Sequence, residues 1–371
     1  MVILFLTGSL EPGKDGVGDY TRRLAAACGR LGHECRLIAL NDSHLDGPVQ
    51  TIESVEGVEL HTLRLPATLT WARRSELALA FRAQHPPEWT SLQFVSYGLD
   101  PRGIVTHIAR DLEQIMDGCP LQLMFHELWI GVGHSPPLKH RVIGQLQRRA
   151  IRKLVRRLQP RVVTTTNPFY RSLLAGLGIA ASELPLFGNI PVVPILPRRD
   201  PGLSQGLLFG SLYPEWKPEP LLGMWIGASA KTRKRPVLLS VGRLGTVGKA
   251  VWKKLQQDYS ARVEFITLSE ISAQAISGLM QLADFGLASS PWHLLGKSGS
   301  VAAMLDHGLP VIVTRDELPS SPSPSPSDIP LLHRCDEALE AKLVTGLPRR
   351  PPRDRVNDIA RDFIRNLAQA P

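Results

Sequence analysis

Residues 288–313 read ASSPWHLLGKSGSVAAMLDHGLPVIV, and their pattern indicates the fold class. The apolar beginning of this stretch and its apolar end, Leu309–Thr314, are predicted strands. Between them, a serine at the start and Gly308 at the end mark a helix. Because a strand, a turn, a helix and a second strand follow in this order, the stretch predicts a βαβ unit of a parallel sheet.

The same alternation of short apolar runs and helix-patterned segments extends over most of the chain. The predicted strands are Val2–Leu6, Glu34–Leu40, Leu121–Phe125, Arg161–Thr165, Gly206–Gly210, Pro236–Val241, Val263–Thr267 and Phe285–Ser289. Helices are predicted between them, for example over 18–31, and again near the end, over 354–368. The sequence therefore predicts an α/β fold of two doubly wound, Rossmann-like domains that face each other across a ligand-binding cleft.

The length of 371 residues exceeds the usual size of one hydrophobic core. Four prolines between Pro191 and Pro201 interrupt the alternation, so we place a linker at 193–202. This predicts an N-terminal domain over 1–192 and a second domain over 203–350. The closing segment, 351–371, is expected to carry a helix that crosses back onto the first domain, and the Ser/Pro tract 319–330 is predicted to be an exposed loop.

The composition narrows the range of partners. Lys and Arg number 43 against 34 Asp and Glu, a net charge of +9, which favours anionic partners such as nucleotides, phosphates or acidic lipids. No nucleic-acid recognition module is evident, so we expect no nucleic-acid partner. Four cysteines lack the spacing of a metal site and predict reduced thiols, which favours a cytoplasmic protein. No apolar run is long enough to span a membrane.

The start of the helix in 288–313 is a candidate phosphate site. Its residues are Gly296, Lys297, Ser298, Gly299 and Ser300. Free backbone N–H groups at a helix start attract anions, and the lysine adds a full positive charge. A P-loop would need a glycine where Pro291 stands, so that motif does not match. An ordinary capped turn between strand and helix remains the alternative.

Taken whole, the stretch resembles the donor-site segment of retaining GT-B glycosyltransferases of group 1 (family four). Further segments match in the same order: EPGKDGVGDYTRRL at 11–24, FHE at 125–127, LPLFGN at 184–189 and LLFGSLYPEWK at 207–217. The resemblance implies that the first domain binds an acceptor and the second a nucleotide-sugar donor. It also implies transfer with retention, with the nucleotide sugar as co-substrate, no further cofactor and no metal.

The resemblance also assigns residues of the first domain. Gly16 and Gly18 would let the backbone approach the donor phosphate and the acceptor closely, because a side chain would block that approach. Asp19 would contact substrate, or it caps the helix that follows. His126 matches a histidine at a strand end that would contact the transferred sugar; a structural role in the core is the alternative.

Several positions depart from the family pattern. Ser211 and Trp216 stand where an Arg and a Lys would clamp the diphosphate, and Lys217 comes one residue late. Leu295 and Ala303 stand where two glutamates would bind the donor. We therefore expect Lys297, with Ser298, Ser300 and the helix-start amides, to hold the phosphates. A binding or scaffold protein without catalysis, and a phosphate-handling hydrolase built on Gly296–Ser298, remain as alternatives.

A basic amphipathic helix is predicted within the first domain. Residues 139–161 contain nine Lys or Arg and no acidic residue, with apolar side chains at helical spacing. Such a helix can rest on an anionic membrane, which would make the protein peripheral to it, or bind a polyanion. A solvated outer face of a domain helix is the simpler alternative.

Overall fold

The structure is a computed structural model that describes residues 1–132, 136–194, 198–213, 215–269, 271–315 and 330–370. The described residues form two compact units: Met1–Pro185 together with the segment from Val356 onward, and the segments 186–315 and 330–355. The first unit ends at Pro185, ahead of the boundary that we expected at residue 192. Of the predicted Ser/Pro loop 319–330, only Pro330 belongs to the described residues.

The first unit is built on an eight-stranded sheet. Its strands are β1 (Val2–Thr7), β2 (Glu34–Asp42), β3 (Val49–Val55), β4 (Val58–Pro66), β5 (Trp89–Phe94), β6 (Leu121–Phe125), β7 (Val162–Thr165) and β8 (Ser182–Glu183). They lie in the order β3-β4-β2-β1-β5-β6-β7-β8. Its helices up to residue 175 are α1 (Gly16–Arg30), α2 (Trp71–Gln84), α3 (Ser96–Leu99), α4 (Ala109–Met116), α5 (Leu138–Leu158) and α6 (Pro168–Ala175), with a 3-10 helix over Val105–Ile108.

One hairpin of this sheet breaks the purely parallel pattern. β3 pairs with β4 in antiparallel register, whereas all the other neighbouring strands are parallel. The turn residues Glu56 and Gly57 both have positive φ, 49° and 80°. Turns of that kind match the twist of a two-stranded ribbon. The sequence analysis did not identify this hairpin, because its strands carry many polar and charged residues.

The second unit has a six-stranded parallel sheet. Its strands are β9 (Leu203–Phe209), β10 (Arg235–Val241), β11 (Glu264–Leu268), β12 (Phe285–Ala288), β13 (Val311–Val313) and β14 (Leu332–Arg334), in the order β11-β10-β9-β12-β13-β14. Its helices are α7 (Glu219–Thr232), α8 (Gly245–Tyr259), α9 (Ala273–Leu282), α10 (Gly299–Asp306) and α11 (Leu339–Thr345), with a 3-10 helix over Trp292–Lys297. Separate apolar clusters cover the two faces of the sheet, as a doubly wound fold requires.

The last helix, α12 (Val356–Ala368), belongs to the first unit. Its apolar residues recur at helical spacing and are buried, and it packs against α1. The ring of Phe363 stacks on that of Phe5 in β1, with centroids 5.6 Å apart. Arg30 at the end of α1 donates a hydrogen bond to Asn357 over 3.2 Å. The chain thus returns to the first sheet after completing the second.

Candidate functional site

In the first unit, the loops that can bind a ligand meet at the carboxyl ends of β1, β5 and β6. The sheet winds from β1 to β2 on one side and from β1 to β5 on the other, which makes this edge the switch point at which parallel sheets bind ligands. Gly8 follows β1, and a Cβ on it would stand 2.6 Å from the carbonyl oxygen of Gly98, which lies in α3 after β5. His126 follows β6. The switch point therefore brings the loop of Gly16 to Asp19 and the strand end of His126 to the same edge of one sheet.

Helix α1 is capped by Asp15, which the sequence analysis did not single out. Its carboxylate accepts hydrogen bonds of 2.8 Å from the backbone N–H groups of Val17 and Gly18. Burial raises the pKa of Asp15, although these two hydrogen bonds oppose the rise. Because Asp15 takes up helix-start donors that could otherwise bind an anion, this helix start is partly satisfied from within.

The close approach at Gly18 is to the protein's own chain. A Cβ at this position would stand 2.4 Å from the carbonyl oxygen of Ser9 and 3.3 Å from the Cα of Leu10. The structure thus gives Gly18 a packing role that is independent of any ligand. Gly16, at the first position of the helix, is exposed, and its close approach to a ligand stays a prediction.

A Gly18→Ala variant is expected to lower the free energy of unfolding by about 2 kcal/mol, since the loop carrying Ser9 must move to admit the methyl group. Gly223→Ala is the matched control, because Gly223 lies exposed in α7 with nothing within 4 Å of a new Cβ. That variant should be more stable than the parent by up to about 1 kcal/mol. Urea unfolding of both variants is the measurement, and equal stabilities would contradict the packing role of Gly18.

Asp19 does not cap the helix. Its carboxylate accepts a 3.0 Å hydrogen bond from the backbone N–H of Gly13 and so fastens the loop that precedes α1. Burial raises the pKa of Asp19, with the N–H of Gly13 and the charge of Arg22 acting in the opposite direction. Its alternative capping role is therefore wrong, and contact with a substrate stays a prediction.

His126 is buried at the end of β6 and is held by two neighbours. Its Nε2 lies 2.8 Å from Oε1 of Gln93, and its ring meets that of Tyr20 edge to face, with centroids 4.9 Å apart. Burial lowers the pKa of His126 to about 3. The imidazole is therefore neutral at physiological pH and can exchange hydrogen bonds, but it carries no charge.

A chain of buried hydrogen bonds fixes which nitrogen of His126 carries the proton. The Gln93 amide donates to the hydroxyl of Ser91 (2.7 Å), which donates to Gln122 (2.6 Å), whose amide donates to Thr164 (2.7 Å). Because the amide nitrogen of Gln93 is directed at Ser91, its oxygen must accept from the histidine. His126 thus donates through Nε2–H, and its Nδ1 carries the lone pair. We call these four residues, Gln93, Ser91, Gln122 and Thr164, the polar chain.

The low pKa of His126 predicts a loss of stability in acid. The unfolded chain takes up a proton on this histidine as the pH falls through its ordinary value of 6.5, whereas the folded chain does not until about 3. Protonation therefore favours the unfolded state, and between these values the free energy of unfolding should fall by about 1.4 kcal/mol per pH unit from this residue. Urea unfolding at a series of pH values measures it. A His126→Asn variant should lose less stability on acidification, and parallel losses would contradict the assignment.

In the second unit, the corresponding switch point lies between β9 and β12. Gly210 follows β9 with φ of 87°, and Gly242 follows β10 with φ of 88°. A Cβ on Gly242 would stand 3.7 Å from the backbone nitrogen of Gly210, an ordinary van der Waals contact, so the two strand ends lie next to each other. Ser289, after β12, donates a 3.2 Å hydrogen bond to the carbonyl of Ser211. These contacts tie the ends of neighbouring strands into one edge.

Helix α10 begins at this edge. Ser298 is its cap and accepts a hydrogen bond from the N–H of Val301 over 3.3 Å, while its hydroxyl lies 3.0 Å from that of Ser300. Above Gly299 there is space: a Cβ there would meet only the side chain of Asn189, at 3.8 Å. The Cβ of Ser300 lies 3.8 Å from where a Cβ on Gly210 would stand. The helix start thus adjoins the loop after β9.

The residues before α10 differ from the predicted turn. Gly296 and Lys297 belong to the 3-10 helix Trp292–Lys297, so they form a short helical turn, with Lys297 as its last residue. Lys297 is half-buried. The Gly-Lys pair is therefore not part of a loop that wraps a phosphate, and only Ser298, Gly299 and Ser300 form the helix start.

The two positions of the missing glutamates lie in the core. Leu295 and Ala303 are both buried within the apolar cluster on one face of the sheet. A Cβ on Gly188 would stand 2.5 Å from the Cα of Ala303, so the segment before β9 packs directly on this turn of α10. A glutamate at 303 would have no room beside Gly188. The departure from the family pattern is thus matched by the packing.

The end of α10 is fixed by a buried carboxylate. Asp306 accepts a 2.8 Å hydrogen bond from the N–H of Gly188 and forms an ion pair with Arg355, which also donates to the carbonyl of Leu186. Burial raises the pKa of Asp306, with the charge of Arg355 opposing the rise. These bonds hold the two ends of the second unit, Leu186 and Arg355, against the helix that begins at Ser298.

The residues predicted to contact the donor after β9 differ in their exposure to solvent. Ser211 and Lys217 are exposed, whereas Trp216 is buried in the core cluster on the other face of the sheet. Trp216, which stands where the family pattern has a phosphate-binding lysine, therefore packs in the core and does not face a ligand. Arg243, which was not predicted, is exposed two residues after the end of β10, and its carbonyl accepts a 3.5 Å hydrogen bond from the hydroxyl of Ser211. Its position after a strand and a glycine could have indicated it.

Three further observations concern the predicted partners. Among the described residues, no three or more His, Cys, Asp or Glu side chains cluster as a metal site would require. All four cysteines are free thiols. No helix in the described part of the chain has the length and apolar character needed to cross a membrane.

A comparison with known protein families gave a match that covers most of the first unit. Residues 15–189 match the model of the glycosyl transferase 4-like domain. This match covers the loop of Gly16 to Asp19, the strand end of His126 and the segment of Asn189. A search of curated proteins found no match to the chain.

Solved structures match over the whole length. The chain is similar to the catalytic domain of starch synthase IV from Arabidopsis thaliana bound to ADP and acarbose, with 13% identity, a TM-score of 0.55 and coverage of 99% of this chain and 94% of that chain. A UDP-forming α,α-trehalose-phosphate synthase from Burkholderia xenovorans gives 9% identity, a TM-score of 0.57, and 100% and 99% coverage. HepE from Anabaena in complex with UDP is 13% identical, with a TM-score of 0.53 and coverage of 100% of this chain and 92% of that chain. At such identities the likeness shows the fold, so the predicted GT-B fold is confirmed, and the match over residues 15–189 supports the resemblance to group 1 (family four) proteins.

Proposed function

We propose that this chain, a GT-B protein with a glycosyl transferase 4-like domain over residues 15–189, moves a sugar from a nucleotide-sugar donor to an acceptor. The observation that carries the proposal is the start of α10. There, Gly299 and Ser300 present backbone N–H groups at the switch point of a parallel sheet, and only the side chain of Asn189 lies within 4 Å of where a Cβ on Gly299 would stand. Proteins of this fold have been solved with ADP and UDP, and a nucleoside diphosphate fits the chemistry of such a helix start.

In this proposal, the donor diphosphate binds at the start of α10. The hydroxyls of Ser298 and Ser300 donate hydrogen bonds to its oxygens, and the helix dipole favours its charge. Lys297 and Arg243 add positive charge from the same edge of the sheet. These groups would stabilise the charge that develops on the leaving nucleotide, and we expect transfer to need no metal ion.

The first unit would supply the acceptor side. His126 is neutral and donates through Nε2–H to Gln93, so its Nδ1 is available to accept a hydrogen bond from a sugar hydroxyl. Asp19 and Gly16 lie after β1 at the same edge of the sheet and are the other proposed contacts. Transfer with retention follows from the resemblance to group 1 enzymes.

A second candidate function is a nucleotide-sugar-binding protein without catalysis. The burial of Leu295 and Ala303 favours it, because the two positions at which the family carries donor-binding glutamates are occupied here by core residues. The two candidates share the donor site and differ in turnover.

A panel of nucleotide sugars, offered with a broad set of acceptors, separates the two candidates. We expect transfer from at least one donor, with the anomeric configuration retained in the product as read by NMR. Binding of a donor by calorimetry without turnover would favour the binding protein. Products of inverted configuration, or no donor binding at all, would contradict the proposed enzyme.

We propose a cytoplasmic protein whose basic segment, 139–161, contacts an anionic membrane, as would suit a lipid-linked acceptor. The exposed face of α5 supports this contact.

A further inference from the structure

Helix α5 exposes a line of apolar side chains to solvent. Leu138, Val142 and Leu146 are 74%, 55% and 42% exposed, and their spacing of four residues places them on one side of the helix. They make up three of the eight large apolar side chains that are exposed in the described part of the chain. Single exposed apolar residues are common, but a contiguous line of them marks a surface that contacts something apolar. We call these three residues the apolar stripe.

Basic side chains continue the same face toward the end of the helix. Arg149, Lys153 and Arg156 follow the stripe at spacings of three and four residues and are exposed. The helix as a whole has eight Lys or Arg and no acidic residue. Arg157 is paired with Glu113. The face therefore combines an apolar half with a strongly positive half.

The combination of an apolar and a positive half distinguishes between two kinds of anionic partner. A polyanion such as a nucleic acid would use the positive charges but would leave the apolar stripe in water. An anionic phospholipid bilayer uses both, since apolar side chains enter the acyl boundary while Lys and Arg remain among the headgroups. The bilayer is therefore the occupant that the whole face fits.

A cavity adjoins this face. It has a volume of about 350 Å³ and lies between the segment Trp129–Val132, one side of α5 and helix α6. Arg141 and Arg148 line it, and of the described residues around it none is acidic. The guanidinium of Arg148 lies over the ring of Trp129, 5.8 Å from its centroid. Two guanidinium groups beside an aromatic wall are suited to bind a phosphate group.

Gly144 explains why the cavity is placed at the edge of the face. A Cβ on Gly144 would stand 2.0 Å from the carbonyl oxygen of Ile130, so the helix packs against the segment after β6 without a gap at this point. The space that remains lies beside Arg141, one turn before Gly144, and Arg148, one turn after it. Arg141 neighbours Leu138 of the apolar stripe, three residues before it, and Arg148 lies two turns further along the same flank of the helix.

We propose that the exposed face of α5 docks on an anionic phospholipid bilayer and that this cavity receives a lipid phosphate headgroup between Arg141 and Arg148. The proposal rests on the membrane contact proposed above but not on sugar transfer. Its tests measure vesicle binding, so their outcome is distinguishable from that of the transferase assays.

The first test separates apolar insertion from charge attraction. Sedimentation with phosphatidylcholine vesicles, with and without roughly one-third phosphatidylglycerol, compares the parent protein with a Leu138→Gln, Val142→Gln, Leu146→Gln variant. We expect binding to the anionic vesicles only, weakened about tenfold or more in the variant, which keeps every charge. Ile52→Gln with Val247→Gln is the control, since both residues are exposed outside α5; it should bind like the parent. No binding by the parent, or undiminished binding by the stripe variant, would overturn the docking surface, the latter in favour of a polyanion.

The second test addresses the cavity. Arg141→Gln with Arg148→Gln removes two charges at the cavity, and Arg152→Gln with Lys153→Gln removes two from the exposed face away from it. We expect the cavity variant to lose about tenfold in vesicle binding and the control about threefold, because only the first loses a headgroup site. Thermal unfolding verifies that both variants fold. Equal losses would overturn the headgroup site. If the cavity holds a lipid phosphate, millimolar inorganic phosphate should compete and lower the parent's vesicle binding toward that of the cavity variant. Phosphate that binds at the cavity by calorimetry without weakening vesicle binding would indicate a site for free phosphate and would also overturn the headgroup site.

Discussion

A Ser300→Glu variant is expected to fold as stably as the parent protein and to bind nucleoside diphosphate about a hundredfold more weakly or worse. The added carboxylate lies in the first turn of α10, where the helix dipole stabilises a negative charge. The substitution therefore does not weaken the fold. The same charge repels a diphosphate at the helix start. Calorimetric titration with ADP and UDP, together with thermal unfolding, measures the two effects separately.

Gln274→Glu provides the control for this variant. Gln274 is the second residue of α9, which begins after the cap Ser272 just as α10 begins after Ser298, and the cap hydrogen bonds are 3.2 and 3.3 Å. The substitution therefore adds the same charge at the same helical position elsewhere in the unit. Its nucleotide affinity should equal that of the parent. If Ser300→Glu binds as tightly as this control, the diphosphate does not lie at α10. Tight binding by Lys297→Ala would likewise remove Lys297 from the site.

Gln93→Leu is expected to lower the turnover number about tenfold to a hundredfold while leaving nucleotide binding unchanged. The substitution removes the acceptor for Nε2–H of His126, so the ring is no longer held in one tautomer. Gln147→Leu is the matched control, since Gln147 is a buried glutamine of the same unit that bonds to Ile130 and Arg102. It should cost stability but not turnover.

Gln93→Glu distinguishes positioning from packing. A carboxylate at this position still accepts from Nε2–H, and its charge raises the pKa of His126 toward the neutral range. We therefore expect the pH profile of turnover to gain a new transition, and the NMR shifts of the imidazole nitrogens to titrate where those of the parent protein do not. Unchanged turnover and an unchanged pH profile in both Gln93 variants would contradict the role of the polar chain.

Much of the second unit could be predicted from the sequence, because its strands are short apolar runs bounded by glycine and proline. The stretch at 288–313 contains its own stop and start signals: Ser298 caps a helix and Gly308 ends it with φ of 64°. The hairpin of β3 and β4 could not be predicted in the same way. It is an edge element in which one strand, β3, is largely exposed, so its residues do not follow an apolar pattern.

The candidate site was predicted in part. The helix start at Ser298 follows from local sequence, but the burial of Leu295 and Ala303 follows from the packing of Gly188, which is distant in the chain. The role of Gly18 depends in the same way on Ser9, on the preceding strand end. The polar chain had a signal that was not used: Ser91, Gln93 and Gln122 are polar residues inside otherwise apolar strands, and such residues are buried only when they are paired.

The central claim is that the start of α10 holds the diphosphate of a nucleotide-sugar donor. A crystal structure of the protein with a bound nucleoside diphosphate tests this claim most directly. We predict diphosphate oxygens within hydrogen-bond distance of the backbone N–H groups of Gly299 and Ser300, with the side chain of Lys297 or Arg243 beside them. A nucleotide bound elsewhere, with these N–H groups left to solvent, would contradict it.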